Sequence, residues 1–177
     1  MIKNKIDTLK SNNLVKIEIK KLSKSGLGNV QKYFSEHGLC YVDVPYTLPG
    51  EVSLIKITSY KNKKILGSLV KSETISPHRI IPNCIHFQKC GGCLIQHLNF
   101  KKYLEWKFKL IFDPISEISP LTKINEILFA DKFSRRRAKV FVKKKRNSIF
   151  IGFKKYKSND ITEITHCIIL ERTILKV

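Results

Sequence analysis

The chain has 177 residues, 42% of them hydrophobic, and a formal charge of +20 from 34 basic against 14 acidic side chains. That length allows one medium domain or two small ones with a packed core. It holds no run of about 18 apolar residues of the kind that crosses a membrane, and its charged N-terminus lacks the apolar stretch of a secretory leader.

The basic excess points to a polyanionic partner, nucleic acid first. It is made of 28 lysines and only 6 arginines. An AT-rich coding genome gives the same skew, yet such a surface still attracts phosphate. Five cysteines in a chain read as unsecreted predict a reducing, cytoplasmic setting, with thiols serving as ligands rather than disulfides.

In chain order, residues 1–12 are polar and read as a flexible terminus. From Leu14 the apolar residues Val15, Ile17 and Ile19 alternate with Lys16, Glu18 and Lys20, the period of a half-buried strand. Ser25-Gly26-Leu27-Gly28 reads as a turn. Strands follow near Asn29–Tyr33 and Leu39–Val44. Pro49-Gly50 suits a type II turn, and Glu51–Ile57 and Lys64–Val70 complete five short strands. Cys40 lies in an apolar stretch and reads as a small core residue. Five strands at this spacing predict an OB-like barrel over 13–71.

Residues 72–177 read as a small α+β domain carrying the cysteines, so the whole chain is mainly β with some α. A helix capped by Asn99 places Phe100, Leu104, Phe108 and Ile111 on one apolar face, read as core. Pro114 predicts its end at or before Asp113. Strands are expected at Ala138–Val142 and Ser148–Phe153, joined by a Lys143–Asn147 turn, and again at Ile161–Ile164.

Two constellations carry chemistry. Cys84, Cys90 and Cys93 form a C-x5-C-G-G-C run, and Cys167 follows 74 positions after Cys93. Three thiols on one loop and one delivered from far away can enclose either an iron–sulfur cluster or a zinc ion. Only Cys90 and Cys93 are paired as zinc sites pair their ligands, which leans toward a cluster. His86, His97 and His166 read as hydrogen-bonding neighbours. The second constellation is basic: Arg135, Arg136 and Arg137 before a strand, Lys143, Lys144, Lys145 and Arg146 in a turn, and Lys154 and Lys155 after the next strand. If the strands pair, these groups collect at the ends and edges of one sheet as a candidate RNA surface. No catalytic constellation is present. Gly26-Leu27-Gly28 lacks the third glycine and the helix of a dinucleotide loop.

Taken together, these residues resemble the N-terminal part of the S-adenosylmethionine-dependent RNA 5-methyluridine methyltransferases. Ile19-x5-Ser25-Gly26-x-Gly28 and Val44-Pro45-x-x-Leu48-Pro49-Gly50-Glu51-Val52 resemble a TRAM domain, an RNA-binding OB-like barrel. Cys84-x5-Cys90-Gly91-Gly92-Cys93-x-x-Gln96-His97 is similar to the family's iron–sulfur motif. Ser134-Arg135-Arg136-Arg137-Ala138 resembles its arginine-rich segment, with Ser134 where Tyr is commoner. Gly152-Phe153 with Ser158, Ile161 and Cys167 resembles the stretch bringing in the fourth cluster ligand, with Ile168 where Pro is usual.

The resemblance implies a [4Fe–4S] cluster on Cys84, Cys90, Cys93 and Cys167, and an RNA partner, ribosomal or transfer. It also implies an S-adenosylmethionine site, a nucleophilic cysteine and a base on a Rossmann-like domain. No motif of these is matched before Val177, so neither a catalytic residue nor an S-adenosylmethionine site is assigned. The reading is an RNA-binding portion, truncated or split and incomplete in its second domain, inactive alone, and either acting with a separately encoded methyltransferase domain or a decaying remnant. The rival reading is a non-enzymatic, zinc-stabilised RNA-binding or ribosome-associated protein.

Overall fold

The computed structural model describes residues 14–146 and 148–175, the side chain of Lys145 excepted. The terminus read as flexible, 1–12, and Asn147 of the expected turn lie outside the described residues. Two compact units are present. One comprises the chain up to Arg79 together with Leu98–Lys102, and the other Ile80–His97 together with the chain from Tyr103 onward.

In the first unit six strands form one sheet: β1 (Leu14–Glu18), β2 (Lys21–Leu22), β3 (Gly28–Phe34), β4 (Gly38–Val44), β5 (Val52–Lys61) and β6 (Lys64–Ser72). Their order is β1-β5-β6-β4-β3-β2, antiparallel throughout except for β4 beside β6. The expected first strand is therefore two strands on one segment. Its first half pairs with β5 and its second with β3, so residues 14–22 touch both ends of the sheet and curl it in the OB-like manner. β5 outruns its expected end by four residues. Irregular register at Leu54/Ile55 and Ile57/Ser59 bends it, which lets a long strand follow the curl. Ile17, Ile19, Val30, Cys40, Val42, Val44, Ile55 and Ile65 fill the interior. These are the inward members of the period-2 pattern, and Cys40 packs among them as a small apolar residue.

The Pro49-Gly50 turn forms as the sequence predicts. Glu51 N–H donates to the Leu48 carbonyl at 3.2 Å, and Gly50 takes φ 85°, the left-handed position that glycine fills without strain. The turn carries Glu51 inside, fully buried. Its carboxylate accepts hydrogen bonds from Arg79 Nε (2.6 Å) and Nη2 (2.8 Å) and from the Leu48 (2.9 Å) and Ser76 (3.2 Å) amides. Arg79 Nη2 also donates to the Tyr46 carbonyl at 2.8 Å. Burial alone would raise the Glu51 pKa, but these hydrogen bonds and the Arg79 charge outweigh it and hold the group below its usual 4.5.

Helix α1 (Phe100–Ile118) begins as expected, with the Asn99 side chain accepting the Lys102 amide at 2.9 Å. It does not stop before Pro114. The proline lies within the helix, which continues for four further residues. Proline removes one amide donor and strains one turn. The chain beyond resumes the pattern, with Ser119 N–H on the Ile115 carbonyl at 2.7 Å. The apolar face read as core is not core: no residue of α1 is fully buried, and Phe100 and Ile111 are more than half exposed. Periodicity identifies an apolar stripe, not what covers it.

The second unit also contains a three-stranded antiparallel sheet, β7 (Phe141–Lys145), β8 (Ser148–Lys154) and β9 (Ile161–Glu163), in that order, and a 3-10 turn at Arg172–Leu175. β7 starts and ends three residues later than expected, so Lys143, Lys144 and Lys145 belong to a strand and not to a turn. Lys145 pairs with Ser148, leaving a two-residue connection in which Arg146 adopts φ 51°. Lysines sit readily on such an edge strand, where their charge discourages further strand pairing. Among the described residues no helix is long and apolar enough to cross a membrane.

Glu51→Gln is expected to destabilise the first unit by about 3 kcal/mol, since it leaves the Arg79 charge without its counter-ion in the interior. Because the folded pKa is depressed, the Glu51 contribution is present above pH 4.5 and lost as the pH falls through the folded value. Thermal melts between pH 7 and 3 test both points: the gap between wild type and variant should narrow below pH 4.5, and a constant gap would contradict the assignment.

Candidate cysteine-lined site

The loop carrying three of the cysteines is a chain of tight turns. Phe87 N–H donates to the Cys84 carbonyl at 3.0 Å, and the Lys89 and Cys90 amides converge on the His86 carbonyl at 3.1 and 2.8 Å. Gln88 sits at φ 69° between them. The Gly92 amide points at Cys90 Sγ, 3.3 Å away.

Two hydrogen bonds fasten this loop to the three-stranded sheet. Gly91 N–H donates to the Lys154 carbonyl at 2.9 Å, and Thr162 Oγ1 donates to the Lys89 carbonyl at 2.8 Å. The first requires glycine. A Cβ on Gly91 would lie 2.7 Å from Tyr156 N, 2.8 Å from Lys154 O and 2.9 Å from Lys155 C, all backbone atoms that cannot swing away.

Cys167 is held from both sides along the chain. Before it, His86 Nε2 accepts the Thr165 amide at 3.3 Å, tying the end of β9 to the cysteine loop. After it, residues 133–135 pair with the outgoing chain. Phe133 and Arg135 donate to the Ile168 and Ile169 carbonyls at 3.0 and 3.1 Å, and Glu171 N–H returns to the Arg135 carbonyl at 3.0 Å. His166 packs edge-on to Phe133.

The four thiols thereby line one cavity of about 300 Å³, together with His86, Phe87, Gln96, Arg135 and Lys139. All four cysteines are free and half-buried. Burial pushes the Cys90 and Cys93 thiols up; for both, the charge of neighbouring cysteines pushes the same way. The Gly92 amide opposes this at Cys90, and the Gln96 side chain at Cys93. Four sulfurs thus feel one another across the cavity, and a positive centre between them would draw off their protons. Among the described residues no three His, Cys, Asp or Glu side chains are gathered into a ready site for a metal ion. The thiols share a cavity rather than a point.

The basic residues are dispersed over the same unit. Arg135 bridges to Leu170 through its backbone and turns its Nε onto the Arg137 carbonyl at 3.1 Å, while Arg136 and Arg137 are exposed on an extended segment outside the sheet. Lys143 and Lys155 both approach Asp160, each at 3.8 Å. Lys154 donates to Asn159 Oδ1 at 2.8 Å and lies over the Phe141 ring. Lys144 and Arg146 are exposed. The structure brings Lys143, Lys154 and Lys155 together at one end of the sheet, while of the three arginines only Arg135 lines the cysteine cavity. Sequence reasoning missed Gln96 as a polar neighbour of Cys93 and the 154–156 backbone as the partner of Gly91, although glycines between two ligand candidates do signal a tight turn and close backbone approach.

No family model matches the chain. By sequence it is homologous, over part of its length, to RNA uracil-C5 methyltransferases. It is 35% identical over 132 residues to the 23S rRNA (uracil(1939)-C(5))-methyltransferase RlmD of Shewanella piezotolerans, which covers 72% of this chain and 30% of that protein. The protein of the same name from Vibrio vulnificus is 33% identical over 132 residues, covering 70% of this chain and 29% of that one. The chain spans about 30% of the length of these curated relatives. Among solved structures, the tRNA (uracil-54, C5)-methyltransferase of Pyrococcus abyssi, in complex with S-adenosyl-L-homocysteine, shares the fold. Its TM-score is 0.55 at 22% identity, over 91% of this chain and 34% of that one.

Gly91→Ala is expected to lower stability by about 1–3 kcal/mol, the usual cost of forcing a methyl into a filled space. Gly92→Ala is the control, because its added methyl would meet only Cys90 Sγ at 3.4 Å. Melting curves for both variants check this, and equal curves would contradict the packing described at Gly91.

Proposed function

We propose that this chain is the RNA-holding portion of an RNA uracil-C5 methyltransferase, with its second unit built around a [4Fe–4S] cluster on Cys84, Cys90, Cys93 and Cys167. One observation supports this most: four free thiols, three from one loop and one from 74 positions on, line a single cavity in a chain homologous to such enzymes. The donor set fits the group. Four thiolates are the usual ligands of a cubane cluster, and a cavity of about 300 Å³ has more room than one ion fills. Bound there, the cluster supplies a clasp between residues 84–93 and Cys167.

The first unit is proposed as a TRAM barrel that contacts RNA. In the second unit, Arg135, Arg136 and Arg137, with Lys143, Lys144, Lys145, Arg146, Lys154 and Lys155, are proposed to hold phosphates. The arginines suit bidentate grips, and the lysines act as point charges. Ribosomal and transfer RNA are both substrates named for the proteins it resembles. Methyl transfer, S-adenosylmethionine binding and the nucleophile are assigned to a methyltransferase domain corresponding to the part of the relatives this chain does not span.

Anaerobically purified protein is expected to be brown, with iron and sulfide each near about four per chain, as a cubane requires. Cys167→Ser should lower both. Stoichiometric zinc without sulfide would replace the cluster by the zinc-stabilised reading. RNA affinity should fall steeply with added salt. Replacing Arg135, Arg136 and Arg137 by Gln should flatten that dependence by about 0.7 for each phosphate of a single strand that is no longer neutralised. An affinity indifferent to salt would remove the basic surface from the account.

A further inference from the structure

The outer face of the first unit's sheet carries a feature that neither the cysteine site nor the basic segments explain. On β3 and β4, Val30 pairs with Val42 and Lys32 with Cys40 on the inner side, while Gln31 pairs with Tyr41 and Tyr33 with Leu39 on the outer side. Tyr33 is 71% exposed, Leu39 51% and Tyr41 44%. Three large side chains therefore cluster on the solvent face of a small basic unit.

The two rings stand on a diagonal of the ladder, which separates side chains by roughly 7–8 Å. That interval suits two successive bases of an extended strand, not the tighter stack of a duplex. Beside Tyr41 lies the tip of the β5–β6 hairpin. Lys64 pairs with both Tyr41 and Lys61, and the Lys63 carbonyl accepts the Tyr41 amide at 2.8 Å. Asn62 and Lys63 form the turn at φ 49° and 59°. Glycine is the usual second residue of such a turn. Here a lysine takes that conformation, and the hairpin tip sets Lys61, Lys63 and Lys64 beside the ring. Of the acidic groups nearby, Asp43 is engaged by Asn29 Nδ2 at 2.7 Å, and Glu36 lies in the β3–β4 turn, 4.0 Å from His37 Nε2.

We propose that this face is a stacking platform for single-stranded RNA, with Tyr33 and Tyr41 each receiving one unpaired base and Lys61, Lys63 and Lys64 holding the phosphates that join them. The proposal rests on the RNA reading above and deepens it: the second unit grips backbone, while the first reads the strand as unpaired. Aromatic rings bind bases through their faces and need no particular sequence. An A-form duplex hides its base faces and offers such a platform nothing.

The test uses the full chain and a fluorescently labelled single-stranded oligouridylate, with a duplex RNA of equal length alongside. Tyr33→Ala and Tyr41→Ala should each weaken single-strand binding about 5- to 150-fold, with duplex binding and the salt dependence unchanged. Tyr33→Phe and Tyr41→Phe should bind as wild type does, since the ring and not the hydroxyl stacks. Circular dichroism checks that the alanine variants keep the sheet. Alanine variants that bind the single strand normally, or that lose single strand and duplex alike, overturn the platform. If the arginine-to-glutamine variant still weakens binding in that case, the RNA reading stands without it. A wild-type chain that binds neither RNA at low salt overturns both.

Discussion

Four thiols share one half-buried cavity, where burial and the neighbouring cysteines raise the pKa of Cys90 and Cys93, and the second unit is arranged around that conflict. Ionised sulfurs at such quarters repel, and burial adds to the cost. Hydrogen bonds at Gly91 and Thr162 nonetheless fix the 84–93 loop on the small sheet, and those at Thr165 and Arg135 tie the chain on either side of Cys167 to that loop and to residues 133–135. A sheet of three short strands buries little apolar surface: Val142, Ile149 and Ile151 remain largely exposed. The fastening of this unit therefore rests heavily on backbone hydrogen bonds and, in the proposed state, on an inorganic centre.

The first unit solves a different problem by a comparable device. A curled sheet buries eight inward apolar side chains, but its ends are joined by irregular loops whose amides need partners. Glu51 supplies them. One buried carboxylate collects the Leu48 turn, the Ser76 loop and Arg79, and through Arg79 the Tyr46 carbonyl. A buried charge is costly unless every lone pair is used, and here four donors use them. With its interior satisfied, the sheet leaves its outer face free for tyrosine and lysine, which is where binding of an unpaired strand is proposed.

Short-range patterns in the sequence are legible where local chemistry decides the outcome. Alternation locates the strands of the first unit, Pro49-Gly50 its type II turn, and Asn99 the helix cap. What fails depends on partners far away in the chain. The apolar stripe of α1 is real, yet no residue of the helix is fully buried, because periodicity does not specify a cover. Pro114 carries less authority than its reputation as a breaker, since one missing hydrogen bond does not end a helix. The end of β7 is hidden because Lys143, Lys144 and Lys145 look like a loop, although an edge strand carries them readily. For the cysteines, number and spacing make Cys167 a candidate companion of the other three. Nothing local reveals Gly91 as the point where their loop meets the 154–156 backbone. The Glu51–Arg79 pair, 28 positions apart, is equally invisible.

Iron K-edge X-ray absorption on anaerobically isolated protein addresses the central claim most directly, because it reports which atoms surround the metal. The expected result is iron bound by sulfur alone, with iron neighbours at short range, and disruption of that environment when Cys84, Cys90, Cys93 or Cys167 becomes serine. Iron surrounded by nitrogen and oxygen, or a sulfur environment that survives loss of any one of these thiols, would contradict it.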